Sequence, residues 1–188
     1  MPSLLKSPST GSASGGSILL TWLNATNILT SNGVFASTTP TTAGNVAVTD
    51  FEISLCSAVG TPIGTNKASS VVWSTTLAYN SYGGATDRWG TTLTPTDIFT
   101  IGFGVLMRTT VGVDGQTNYL NATKFDWSGT IPTGAGICGI LVEIQRQKTF
   151  NPRLNVTSAS VDHIRMTVYY GSTITGLGSI TGLGSITW

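Results

Sequence analysis

The chain has 188 residues and a formal net charge of +1, with 40% hydrophobic and only 9% charged residues. That length suffices for one domain with a real core, and the apolar content is too high for a disordered chain. The near-neutral balance gives no electrostatic draw toward nucleic acid or an anionic membrane, and no apolar run approaches the ~20 residues of a spanning helix.

Residues 1–17 contain SPSTGSASGGS, a flexible-linker composition. They read as an N-terminal arm, without the apolar core of an export signal. Residues 18–23, with Trp22, read as the first strand. Asn32-Gly33 is a turn signal. In residues 46–56, Phe51, Ile53 and Leu55 alternate with Glu52 and Ser54, which predicts a strand with those three on its inner face. Residues 71–73 predict a short strand, and residues 79–90 (YNSYGGATDRWG) a long aromatic, Gly-rich loop.

Thr94-Pro95-Thr96-Asp97 predicts one helical turn capped by Thr or Asp. Residues 99–107 read as a buried strand. Asp114-Gly115 marks a hairpin, and residues 119–127 alternate weakly. Residues 131–136 (IPTGAG) form another turn. Ile140, Val142 and Ile144 then alternate with Leu141, Glu143 and Gln145. In the last strand, 161–170, Ile164, Met166, Val168 and Tyr170 share the core face. His163, Arg165 and Thr167 share the other. About eight strands and no normal amphipathic helix predict an all-β, jelly-roll-like antiparallel sandwich over 18–171.

Residues 172–188 follow as a Gly-rich hexad repeat, a C-terminal arm. Ile174, Ile180 and Ile186 recur on one alternate set, Leu177 and Leu183 on the other, and Trp188 ends the segment. The repeat is too short to bury itself as a solenoid. These six residues are therefore candidate subunit contacts. Low overall charge fits a surface covered by neighbours.

Catalytic signals are sparse. His163 is the only histidine. Strict alternation places it opposite Asp162, on a solvated face, where the carboxylate cannot orient it. The eight acidic residues sit in no glycosidase-like motif. Glu143 has Arg146 and Arg165 as possible partners. Cys56 and Cys138 read as small buried hydrophobes and form no CxxC zinc motif. Three Asn-x-Thr sequons, at Asn24, Asn121 and Asn155, are expected by chance in so Asn/Thr-rich a chain. No metal or cofactor is expected, and the chain reads as non-enzymatic. Tyr79, Tyr82, Arg88 and Trp89 form the candidate recognition surface, since exposed Tyr, Trp and Arg dominate interface hot spots. The competing reading is that Tyr82 and Trp89 plug one end of the sandwich.

Several segments resemble a family of small virion structural proteins of tailed bacteriophages whose β-sandwich ends in a strand of the form VDHIRITVYY. The matching pieces are VDHIRMTVYY at 161–170, GTNKA at 64–68, YGGATDRWG at 82–90, TPTDI at 94–98 and FGV at 103–105. IPTGA at 131–135 with residues 137–145 matches the family's IPAGATIDGIEVEIE strand. The order departs from the family's: the 131–145 block follows the DFEISL strand here instead of preceding it. The resemblance implies a virion protein assembled in the host cytoplasm, either a capsid cement or decoration protein or a fibre head recognising host glycan. A free carbohydrate-binding module is a further alternative. The implied partners are the major capsid protein or other virion subunits, and a homo-oligomer, with a trimer favoured.

Overall fold

The computed structural model describes residues 1–14, 20–41, 44–112, 115–127 and 131–171. Strands make up 54% of the described residues and helix 6%, so the composition is expressed as an all-β fold. Among the described residues the strands are β1 Ser3–Lys6, β2 Thr10–Ser14, β3 Trp22–Leu23, β4 Ala36–Thr38, β5 Val48–Ala58, β6 Thr61–Ile63, β7 Ala78–Gly84, β8 Gly104–Val111, β9 Gly115–Gln116, β10 Tyr119–Thr123, β11 Gly136–Asn151 and β12 Val156–Gly171. One helical turn, α1 at Pro95–Phe99, carries the expected cap: Thr94 Oγ1 accepts from Asp97 N, and the Asp97 carboxylate accepts from Thr94 N.

Two antiparallel sheets pack as a sandwich. The first runs β3-β4-β12-β11-β7, with β1 also on β12; the second runs β2-β10-β8-β5-β6, with β9 on β8. Their inner faces share one core, which includes Ile53, Leu55, Val105, Met107 and Leu120 from one sheet and Ile140, Val142, Ile144, Ile164, Met166 and Val168 from the other. Both alternating runs read at 140–144 and 164–168 therefore point inward. Tyr170, assigned to the same face, is half-buried against the core.

The N-terminal segment departs from its linker composition. β1 pairs with β12 from Met166 to Tyr169, and β2 pairs with β10 from Tyr119 to Thr123. Backbone pairing with two existing edges compensates for weak strand propensity. Gly11 is required there, because a Cβ would lie 2.1 Å from Ala25 O. The expected loop at 79–90 opens with β7, since its first residues pair with β11 from Ile140 to Arg146. The 99–107 strand begins only at Gly104, after α1. Residues 71–73 form no strand, although Trp73 N donates to Val48 O.

Each sheet holds a bulge where alternation breaks. In β5, Asp50 opposes Thr109 and Glu52 opposes Arg108, leaving Phe51 as the extra residue. In β12, Val161 opposes Arg146 and His163 opposes Gln145, leaving Asp162 extra. A bulge turns adjacent residues toward one face and bends the strand. Phe51 is consequently exposed and Asp50 buried, contrary to the inward placement of Phe51 read from the sequence.

Candidate functional site

The two bulges build two polar clusters, one inside the sandwich and one on its outer face. Inside, Asp50 of β5 meets Arg146 of β11 across the sheets in a buried ion pair. Asp50 Oδ1 also accepts from Trp73 Nε1 at 2.9 Å. Oδ2 accepts from Tyr82 OH at 2.9 Å and Ser69 N at 3.1 Å. Four donors saturate the carboxylate. The Arg146 guanidinium lies 4.4 Å from the Trp73 ring centroid and 5.7 Å from that of Tyr82. Burial, reinforced by Asp50, holds the Tyr82 phenol well above its usual range. With every carboxylate lone pair occupied, this cluster clamps the sheets together and offers no open reactive atom.

The outer cluster forms on one edge of β12. β4 covers that edge at Ser160 and Val161, and β1 covers it from Met166 onward. Between them the Asp162 bulge meets the turn at 31–33. The Asp162 carboxylate accepts from Gly33 N at 2.9 Å and Ser31 Oγ at 3.2 Å. Ser31 Oγ also lies 2.7 Å from Gln145 Oε1, so its one proton is shared between the two acceptors. Gln145 opposes His163 in the ladder, so Asp162 and His163 reach one outer face. This corrects the opposite-face placement, and the bulge is the reason.

His163 is buried, not solvated, at 7% exposure. Its Nε2 lies 2.9 Å from Ser7 Oγ and its Nδ1 2.9 Å from Tyr79 OH. Burial lowers its pKa, and the neighbouring Arg165 charge adds to that. Arg165 lies over the Tyr79 ring at 4.1 Å and forms a two-pronged pair with Glu143, at 2.9 and 3.0 Å. Of the two partners open to Glu143, Arg165 is the one it takes. The serine–histidine contact resembles part of a nucleophilic triad. Its third position is a phenol, however, while the nearby carboxylate is engaged by the turn at 31–33. The arrangement ties the N-terminal segment, β7 and the 31–33 turn to β12.

The expected recognition surface is dispersed. Trp89 is fully buried, donating through Nε1 to Ile140 O at 2.9 Å, and Tyr82 is buried against Asp50. Trp89 sits at φ 57 and is followed by Gly90 at φ 67, a reversal that folds the ring inward. Tyr79 is half-buried in the histidine cluster, and Arg88 alone of the four is exposed. Tyr82 and Trp89 are both buried in the core, as the competing reading requires of them. Ile174, Leu177, Ile180, Leu183, Ile186 and Trp188 lie outside the described residues.

Sequence reading missed a cluster on the opposite sheet in which Phe51 is exposed and Glu52, Arg108 and Tyr119 are half-buried. Arg108 lies 4.7 Å from the Phe51 ring centroid and 5.2 Å from that of Tyr119, whose hydroxyl donates to Glu52 at 3.1 Å. Among the described residues no group of three His, Cys, Asp or Glu side chains could hold a metal ion. Cys56 and Cys138 are both free thiols. Cys56 is buried as expected, its pKa pushed up to about 12 by that burial, whereas Cys138 is half-buried. No described helix is long and apolar enough to cross a membrane. Comparisons with protein-family models, curated proteins and solved structures return no match to this chain.

Proposed function

We propose that the chain is a non-enzymatic structural protein of a tailed-bacteriophage virion, acting as a capsid cement or decoration protein. The observation that carries this reading is the Ile- and Leu-bearing repeat that follows β12. Among the described residues the buried core runs from Leu20 to Val168, with Leu4 and Tyr170 packed against it. Apolar residues recurring at regular spacing after the last sandwich strand suit contacts with neighbouring subunits. Several such weak contacts become collectively tight once one is made. The resemblance of the 161–170 strand and the 82–90 segment to virion proteins supports the same reading. So does a chain path that passes repeatedly between sheets, as β4 to β5, β6 to β7 and β10 to β11 do, consistent with jelly-roll-like connectivity.

The alternative is a fibre head or carbohydrate-binding module. Burial of Trp89 and Tyr82 takes away the site first suggested for glycan, and the partly exposed Phe51–Arg108–Tyr119 cluster is the feature that favours this reading. Two experiments separate them. Peptide mapping of purified phage particles carrying the chain is expected to find it at fixed stoichiometry in isolated heads. A glycan panel is expected to show no binding that Phe51→Ala abolishes. Glycan binding with absence from heads would support the alternative.

A further inference from the structure

Asn32-Gly33, the turn signal of the sequence, lies against the Asp162 bulge. Gly33 adopts φ 75, with nothing within 4 Å of where a Cβ would stand, and Asn32 is exposed. An asparagine followed by glycine is open to an internal reaction, because no side chain on the glycine shields the carboxamide from the next backbone nitrogen. Gly33 N, having lost its proton to solvent base, attacks Asn32 Cγ. The new N–Cγ bond closes a five-membered succinimide, and the Cγ–Nδ2 bond breaks to release ammonia. Water then opens either ring carbonyl, leaving aspartate or isoaspartate at 32. The sum is one water consumed and one ammonia released, with no change of oxidation state.

Every group that this reaction uses is held in the folded chain. Gly33 N donates to Asp162 Oδ1 at 2.9 Å, and Asn32 N lies 3.4 Å from the same oxygen. The Asn32 carboxamide is fixed at both ends: Oδ1 accepts from Val34 N at 2.9 Å, and Nδ2 donates to Thr30 Oγ1 at 3.1 Å. Asp162 is itself buried, at 1% exposure, so water competes little for its oxygens. Two effects follow. The hydrogen bond keeps the Gly33 proton on nitrogen, and the carboxylate charge disfavours the amide anion that must attack. We infer that Asn32-Gly33 is a modification site, yielding aspartate or isoaspartate through a succinimide, and that Asp162 holds it closed while the 31–33 turn rests on β12. Release of the turn opens the site. The product adds a negative charge to a turn docked on Asp162, so a reacted turn rests there less firmly.

The inference is independent of the virion reading. Its test is incubation of the purified full chain in mildly alkaline buffer, with tandem mass spectrometry locating the amide-to-acid mass gain at position 32. A synthetic peptide of residues 27–37 supplies the unrestrained rate. The folded parent is expected to react at least about tenfold more slowly than the peptide, since it must first open locally. Asp162→Asn keeps an acceptor oxygen and removes the charge. It is expected to speed the folded chain about fivefold or more, and Asp162→Ala further, because one pKa unit at the attacking nitrogen is about tenfold in its anion. Asn32→Gln is expected to abolish the gain at 32, because its longer side chain must close a six-membered ring. Amide hydrogen exchange at Gly33 gives a second readout in the parent alone. Both reactions need the same N–H freed from Asp162, so in sub-denaturing urea their rates are expected to rise in proportion. That readout carries the test if the Asp162 variants fail to fold. A folded parent that reacts as fast as the peptide would overturn the inference. So would folded Asp162 variants that react no faster than the parent, or Gly33 exchange that rises with urea while reaction at 32 does not.

Discussion

Asp50 and Arg146 show how two residues set the geometry of a whole interior. Each ion would be costly to bury alone, and the pair is tolerated because four donors meet the carboxylate and two rings flank the guanidinium. Asp50→Ala is expected to cost about 3–5 kcal/mol in urea denaturation, because it strands a buried cation. Replacing both, as Asp50→Leu with Arg146→Met, is expected to recover most of that loss. His163 gives a second expectation at this scale. An unfolded imidazole titrates near 6.5, and burial and Arg165 set the folded value lower. The unfolded chain therefore binds the proton first. Stability should be full above pH 6.5 and fall as pH drops through the folded value. His163→Gln should flatten that limb in melts recorded across the window.

At the scale of elements, β5, β8, β11 and β12 were legible, whereas β1, β2 and β7 were not and the bulges were not read, although the bulges' signal is present. Val46 and Val48 are even-numbered while Ile53 and Leu55 are odd, so one face cannot hold all four without an extra residue between them. Ala159 and Val161 are odd while Ile164, Met166 and Val168 are even, which demands the same between 161 and 164. Those two parity changes locate the Phe51 and Asp162 bulges. A single alternating frame run through His163 hid the second. Arg146 was also readable, since it continues the inward frame of Ile140, Val142 and Ile144. Its partner was not, because the pairing joins different sheets. The strand character of residues 3–14 is likewise absent from local composition and comes from the edges of β12 and β10. The Asp162 bulge matters because it anchors a turn. Asp162→Ala is expected to cost about 1–3 kcal/mol and to speed hydrogen exchange at Gly33, whose N–H it receives.

At the scale of the molecule, the segment order that departs from the resembled family's has its junctions close together, at one end of the sandwich. Thr157 Oγ1 donates to Gly44 O at 2.5 Å and accepts from Val46 N at 3.3 Å, and Gly112 N donates to Ala47 O at 2.8 Å. Crossings this close permit exchange of connections without changing strand neighbours. A chain with residues 116–157 placed before 45–115, joined by short Gly/Ser linkers, is expected to melt cooperatively within about 10 °C of the parent, since loop closure is cheap. An unfolded product would show that connectivity, and not pairing alone, holds the fold. The functional reading rests on resemblance and not on a motif, because an assembly surface, as proposed, would need no catalytic residues.

The central claim is that a self-sufficient sandwich attaches to a virion through what extends beyond it. Its most direct test is co-sedimentation of two purified proteins, the full chain and a chain ending at Gly171, with phage heads depleted of this subunit. Both are expected to melt alike, because the shortened chain keeps every described core residue and Leu4, which packs against them. The full chain is expected to saturate the heads at fixed stoichiometry, and the shortened chain to bind at least tenfold more weakly, since it loses one of its linked contacts. Failure of both to bind heads, or equal binding by both, would contradict the account.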